Sequence, residues 1–165
     1  VSVNLSTVQL HRGNLEAIIA QALKKAALGP SLLELELTES MLLEKSESFI
    51  QRLRSLKQLG VKLAIDDFGT GYSNLSYLQR FQVDKLKIDK SFVTNLSSNE
   101  QNRAIVTAII QMAHSLKLKT TAEGIEHQVV QTILKSLGCN LGQGYLFAKP
   151  MPADDFLRYA QQASS

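Results

Sequence analysis

VKLAIDDFGTGYSNLSYL, residues 61–78, joins a short apolar alternation to two adjacent acids and a glycine loop. Val61, Leu63 and Ile65 alternate with Lys62, Ala64 and Asp66, the two-residue period of a strand, and the strand ends by pushing out one carboxylate with Asp67 directly behind it. Adjacent carboxylates repel and raise each other's pKa, so a site that keeps both ionised supplies a cation. Gly69 and Gly71 permit a tight loop at backbone angles other residues avoid. Two readings fit: a metal-binding strand tip with an ordered loop, or a solvated acidic turn with Phe68 and Tyr72 tucked into the core.

The same alternation recurs on both sides. Val1, Val3 and Leu5 share one face of an opening strand whose other face carries Ser2 and Asn4. A helix follows, with Asn14 as its N-cap and Leu15, Ile18, Ile19, Ala22 and Leu23 at helical spacing. LLELELTES is a second strand with Glu34 and Glu36 opposite Leu33, Leu35 and Leu37, and a helix over about residues 46–59 is stopped by Gly60. Beyond the glycine loop the pattern predicts a short helix over 75–79 and a strand in VDKLKIDK. A long helix over 100–116, a strand in KTTAEGIE and a helix closed by Gly138 come next. A sixth strand over 140–147 and a last helix around Phe156, Leu157 and Ala160 complete the chain.

Strands alternating with helices imply parallel strands joined by crossovers, in an open doubly wound sheet or a barrel. Central strands of open sheets read as continuous apolar runs. These instead keep one polar face, with Asn4, Glu36, Asp66, Lys87, Glu123 and Gln143 toward the C-terminal ends, as at the mouth of a (β/α) barrel. Glu34, Lys62, Lys85 and Lys119 fall deeper on that face and are expected to form an ion-paired structural layer.

Composition narrows the function classes. A chain of 165 residues fits one domain with a substantial core. The lone Cys139 excludes an intrachain disulfide and favours a reducing, cytoplasmic location. No apolar run is long enough for membrane insertion, and no signal peptide opens the sequence. A net charge of +3 with scattered basic residues suits an anionic ligand but not a nucleic-acid polymer. The carboxylates and amides of the inward face are hard oxygen donors suited to Mg²⁺ or Mn²⁺, whereas His11, His114 and His127 lack the paired spacing of a zinc site. Two ions about 4 Å apart, bridged by Asp66, would activate a water for attack on a phosphodiester, with Lys87 holding that water. No P-loop, nucleophile elbow or Cys/His pair is present, which leaves NTP hydrolysis and acyl transfer unsupported.

Asn4 in VSVNLS, Glu36 in ELTES, Asp66 and Asp67 in DDFGTGYSNLSYL, Lys87 in DKLKIDKSFV, Glu123 in AEGIE and Gln143 in GQGYLFAKP together resemble the EAL family of cyclic di-GMP phosphodiesterases. The likeness runs along essentially the whole chain in the family's order. It implies an EAL-type, TIM-like (β/α) barrel of the α/β class, truncated here to six β/α units over residues 1–165, and hydrolysis of cyclic di-GMP to linear pGpG with two Mg²⁺ or Mn²⁺ ions. By matched positions, Asn4, Glu36 and Asp66 hold one metal and Asp66, Asp67 and Glu123 the other. Lys87 contacts the attacking water, and Gln143 lies in the substrate pocket. Glu39 steadies the glycine loop, which the family also uses in dimer contacts, and Glu126 is a supporting acid.

The departure is at the front. Family members begin with a strand pair whose second strand carries the E-A-L signature and, soon after, an arginine. The glutamate is a metal ligand, and the arginine contacts the ligand phosphate. This sequence starts at Val1, without an initiating methionine, at what corresponds to the third strand of an eight-stranded barrel. The resemblance therefore implies a chain that is weak or inactive alone, or a non-catalytic EAL module for cyclic di-GMP binding or protein interaction. It also implies a homodimer, formed through exposed strand edges or through the Gly69–Tyr72 loop.

Overall fold

The structure, a computed structural model, describes residues 1–44, 46–71, 78 and 80–163. Strand β1 (Ser2–Asn4) leads through α1 (Thr7–His11) and α2 (Leu15–Lys25) to β2 (Glu34–Thr38). Helix α3 (Glu47–Gln58) precedes β3 (Lys62–Phe68), and β4 (Lys85–Ile88) follows. Then come α4 (Lys90–Val93), α5 (Glu100–Ser115), β5 (Lys119–Ala122), α6 (Gln128–Ser136), β6 (Leu141–Gly142) and α7 (Ala153–Ala163). The six strands are all parallel and stand in the sheet in sequence order, β1 to β6. An order without reversal has no switch point of the doubly wound kind; the sheet is a half-barrel.

Its two faces differ as the alternation predicts. On the helix side, Leu37, Leu63, Ile65, Leu86 and Ile88 are wholly buried. They belong to one cluster with Phe49, Ile50, Leu53 and Leu56 of α3, Val106, Ile110 and Ala113 of α5, and Val130 and Leu134 of α6. Each such side chain contributes roughly 1.5–3 kcal/mol on burial. The polar face is fixed by register, because Cα partners across parallel strands share a face: Asn4 lies beside Glu36, Glu34 beside Lys62, Thr38 beside Asp66, and Lys85 beside Lys119. A register shift between Ile65 and Phe68 sets Asp66 and Asp67 out of step with β4.

Several expectations change. The sixth strand spans Leu141–Gly142 instead of residues 140–147. After Gln143 the chain wraps the loop at Ile125, whose N–H donates to the Gln143 carbonyl and whose carbonyl accepts from Leu146. Gly144 packs so tightly there that a Cβ would lie 2.2 Å from the Ile125 oxygen. Val1 and Val3 are exposed because β1 is an edge strand. Asn14 precedes α2 without a side-chain capping bond, whereas Ser6 and Ser46 cap α1 and α3. The inner layer forms only in part: Lys85 Nζ lies 2.7 Å from Glu34, but Lys62 and Lys119 make no ion pair among the described residues. The short helix expected over 75–79 falls largely outside the described residues, as does Tyr72. Among the described residues no helix is long and apolar enough to cross a membrane.

Candidate metal and phosphodiester site

β4 carries Lys87, and β2, β3 and the end of β5 bring one carboxylate each to it. Its ammonium donates to Glu36 at 2.9 Å, Asp66 at 2.9 Å and Glu123 at 2.8 Å, and the side chain is only 7% exposed. An ammonium has three protons, and each has its own carboxylate. The sequence separations, from residue 36 to residue 123, mean that only the sheet brings the four together. Burial alone would lower the Lys87 pKa, but its hydrogen bonds to Glu123, Glu36 and Asp66 outweigh that and hold it well above the ordinary lysine value.

One positive charge does not neutralise the cluster. Carboxylate oxygens of Asp66, Asp67 and Glu123 lie within 4.8 Å of one another. Burial raises the Asp67 pKa, the charges of Asp66 and Asp89 raise it further, and Lys87 opposes them. Burial likewise raises Glu123 against the pull of Lys87, with Asp66 and Glu36 adding to the rise. Asp67 also sits in the left-handed region at φ 53, where a side chain with a Cβ is uncommon. Clustered hard oxygen donors with uncompensated negative charge fit a divalent cation such as Mg²⁺ or Mn²⁺.

Glu39 stands behind this cluster. It is buried, and its Oε2 accepts from the Gly69 N–H at 2.9 Å and the Gly71 N–H at 3.2 Å. Gly69 has φ 103, with a would-be Cβ 2.9 Å from the Phe92 ring, and a Cβ on Gly71 would press on the Glu39 carboxyl at 3.2 Å. The loop closes back on the acids through Thr70, whose N–H and hydroxyl both donate to the Asp67 carbonyl.

The remaining positions lie at the margins. Asn4 is exposed on the edge strand, beside Glu36 in register, and its side chain makes no hydrogen bond to the acids among the described residues. Gln143 is held by its backbone to Ala122, and its exposed side chain lines a cavity shared with Glu123, Glu126, Lys90 and Tyr145. Sequence reasoning passed over Asp89. Its carboxylate meets Asp67, and it caps α4 by accepting from the Ser91 N–H at 2.9 Å. Burial raises its pKa, but the Ser91 and Lys90 hydrogen bonds outweigh that and hold it below the usual carboxylate value. The signal was an acid two residues before a serine at the end of a strand, the pattern of a helix N-cap.

The half-barrel carries these acids and the lysine at its C-terminal rim, where the active sites of (β/α) barrels sit. Residues 1–150 match the EAL domain family model, and the chain belongs to that family. It is 42% identical over 157 residues to the bifunctional diguanylate cyclase/cyclic di-GMP phosphodiesterase MucR of Pseudomonas aeruginosa, covering 95% of this chain and 23% of MucR. The solved MucR phosphodiesterase in complex with cyclic di-GMP superposes with a TM-score of 0.88 at 42% identity, over 94% of this chain and 63% of that one. Klebsiella pneumoniae BlrP1, solved with manganese and cyclic di-GMP, gives a TM-score of 0.83 at 35% identity over 90% of this chain and 38% of that one. The chain spans about a fifth of the length of the curated relatives it matches.

Proposed function

We propose that residues 1–165 are a single EAL unit whose site is that of a two-metal phosphodiesterase hydrolysing cyclic di-GMP to linear pGpG. The observation that carries this reading is the meeting of Asp66, Asp67 and Glu123 within 4.8 Å around the carboxylates that Lys87 gathers. Asn4, Glu36 and Asp66 are assigned to one ion and Asp66, Asp67 and Glu123 to the other. When bound by these residues, Mg²⁺ or Mn²⁺ would supply a nucleophilic water at neutral pH and stabilise charge on the phosphoryl group. Lys87, whose protons are firmly held, would turn one of its three carboxylate contacts over to that water when a cation takes up the carboxylate, and it holds the other two carboxylates at fixed geometry. Gln143 positions the nucleotide. The water oxygen bonds to phosphorus, the bond to the 3′ oxygen breaks, and that oxygen takes a proton.

For polypeptide 1–165 as an isolated protein, weak or absent turnover is expected. The E-A-L glutamate assigned to the first ion by family resemblance is not among its residues, and losing even an outer-shell metal contact costs roughly 10- to 100-fold. Incubation with cyclic di-GMP and Mn²⁺, with pGpG followed by chromatography, should give at least a tenfold lower rate than an EAL domain that includes the E-A-L segment. Asp66→Asn should abolish both Mn²⁺-dependent ligand binding and residual turnover. Turnover equal to the longer domain would overturn the expected weakness. Absence of hydrolysis even with the E-A-L segment joined would favour the second reading, a non-catalytic module for nucleotide binding or protein interaction.

Self-association is proposed on separate grounds. β1 and β6 are the two edges of the sheet, and Val1, Val3 and Leu141 are exposed on them. Open edges with apolar side chains template pairing with a second chain. Sedimentation should show a concentration-dependent dimer, and a monomer at every accessible concentration would count against it.

A further inference from the structure

Thr121 holds the one side-chain polar atom among the described residues that is buried without a hydrogen-bond partner. The residue is 7% exposed, and its Oγ1 meets neither a donor nor an acceptor. The threonine before it shows the contrast. Thr120, on the helix side of β5, donates its hydroxyl to Asn140 Oδ1 at 3.3 Å and accepts from the Asn140 N–H at 3.2 Å. An unpaired hydroxyl taken out of water costs stability, and valine has the same branched shape and suits a strand without that cost. Buried unpaired groups of this kind are explained by an ordered water or by a partner gained in another state of the site.

Register decides what lies around the hydroxyl. Thr121 is the Cα partner of Lys87 across β4 and β5, so the two side chains stand on the same inward face. Glu123 follows two residues later, and its N–H donates to the Ile88 carbonyl at 3.1 Å, which continues the ladder and keeps Glu123 on that face. Thr121 is therefore the neighbour of Lys87 across the sheet and of Glu123 along the strand, and those two groups meet at 2.8 Å. With its three protons committed to Glu36, Asp66 and Glu123, Lys87 has none for Thr121.

We propose that Thr121 is a positioning residue for Glu123. The inference rests on the two-metal reading of the rim. When Lys87 turns its Glu123 contact over to the water, the Thr121 hydroxyl donates to the carboxylate oxygen so released and holds Glu123 in place for the cation. A hydroxyl donor brings no charge, so Glu123 keeps its full anionic character toward the ion. A permanent buried water is the competing account, and it predicts otherwise, because it would satisfy Thr121 equally with and without a cation.

The test is Mn²⁺ binding by polypeptide 1–165, followed through the electron paramagnetic resonance signal of free Mn²⁺, together with the melting temperature in EDTA. Thr121→Val is expected to melt at or above the parent temperature in EDTA and to bind Mn²⁺ about tenfold more weakly, the usual scale for removing a hydrogen bond to a metal ligand. Thr121→Ser keeps the hydroxyl and should recover most of the affinity. Thr120→Val should do the reverse, with a lower melting temperature and unchanged Mn²⁺ affinity, since its hydroxyl already serves Asn140. Parent-like Mn²⁺ affinity in Thr121→Val, or a lowered melting temperature in EDTA, would overturn the role of Thr121 and leave the metal site standing. Absence of Mn²⁺ binding by the parent would overturn the metal site itself, and the inference with it.

Discussion

Replacing Lys87 by methionine is expected to destabilise the metal-free protein by about 3 kcal/mol, the cost of leaving buried carboxylates without their cation. Methionine keeps the apolar stem, so the loss reports the ammonium itself. Glu36, Asp66 and Glu123 would face one another uncompensated, with Asp67 close by. Urea denaturation in EDTA measures this directly, and excess Mn²⁺ should recover much of the loss, because the three metal-competent carboxylates are intact. The variant should also respond to pH in a defined direction. Burial and neighbouring acids already raise Glu123 and Asp67, and without the opposing pull of Lys87 they rise further above their unfolded values, so the folded state binds more protons and stability rises as pH falls from neutrality toward those unfolded values. An equal loss with and without Mn²⁺, at every pH, would show that Lys87 acts only by packing.

Glu39→Ala is the second large effect. The change removes a buried carboxylate that accepts from two loop amides, leaving the Gly69 and Gly71 N–H groups without that partner. A cost of about 3 kcal/mol is expected in urea denaturation, from lost charge-assisted bonds and unsatisfied donors. Glu39→Gln retains an acceptor oxygen and should recover about half of it. Because Thr70 returns from the loop to the Asp67 carbonyl, Glu39→Ala should also shrink the thermal shift produced by Mn²⁺. A variant as stable as the parent, with an unchanged Mn²⁺ response, would mean that the loop holds its shape without Glu39.

Asp66 and Asp67 could be read in the sequence as a metal-seeking strand tip because strand alternation and adjacent charge are local properties. The same locality exposed the polar inward face, the aliphatic helix-side face and the helix stops at Gly60 and Gly138. It also misjudged β6, where a backbone contact between Gly144 and Ile125 ends the strand early. Register is not local. Which acid meets which lysine depends on the stagger of neighbouring strands and on the shift between Ile65 and Phe68. Only tertiary structure therefore gave Lys87 its three carboxylates, set Asp89 against Asp67 and paired Lys85 with Glu34. The sequence determined the kinds of side chain that line the half-barrel, since a two-residue period suffices to choose a face. The fold decided their partners, since a partner on another strand lies tens of residues away and is reached only when the sheet assembles.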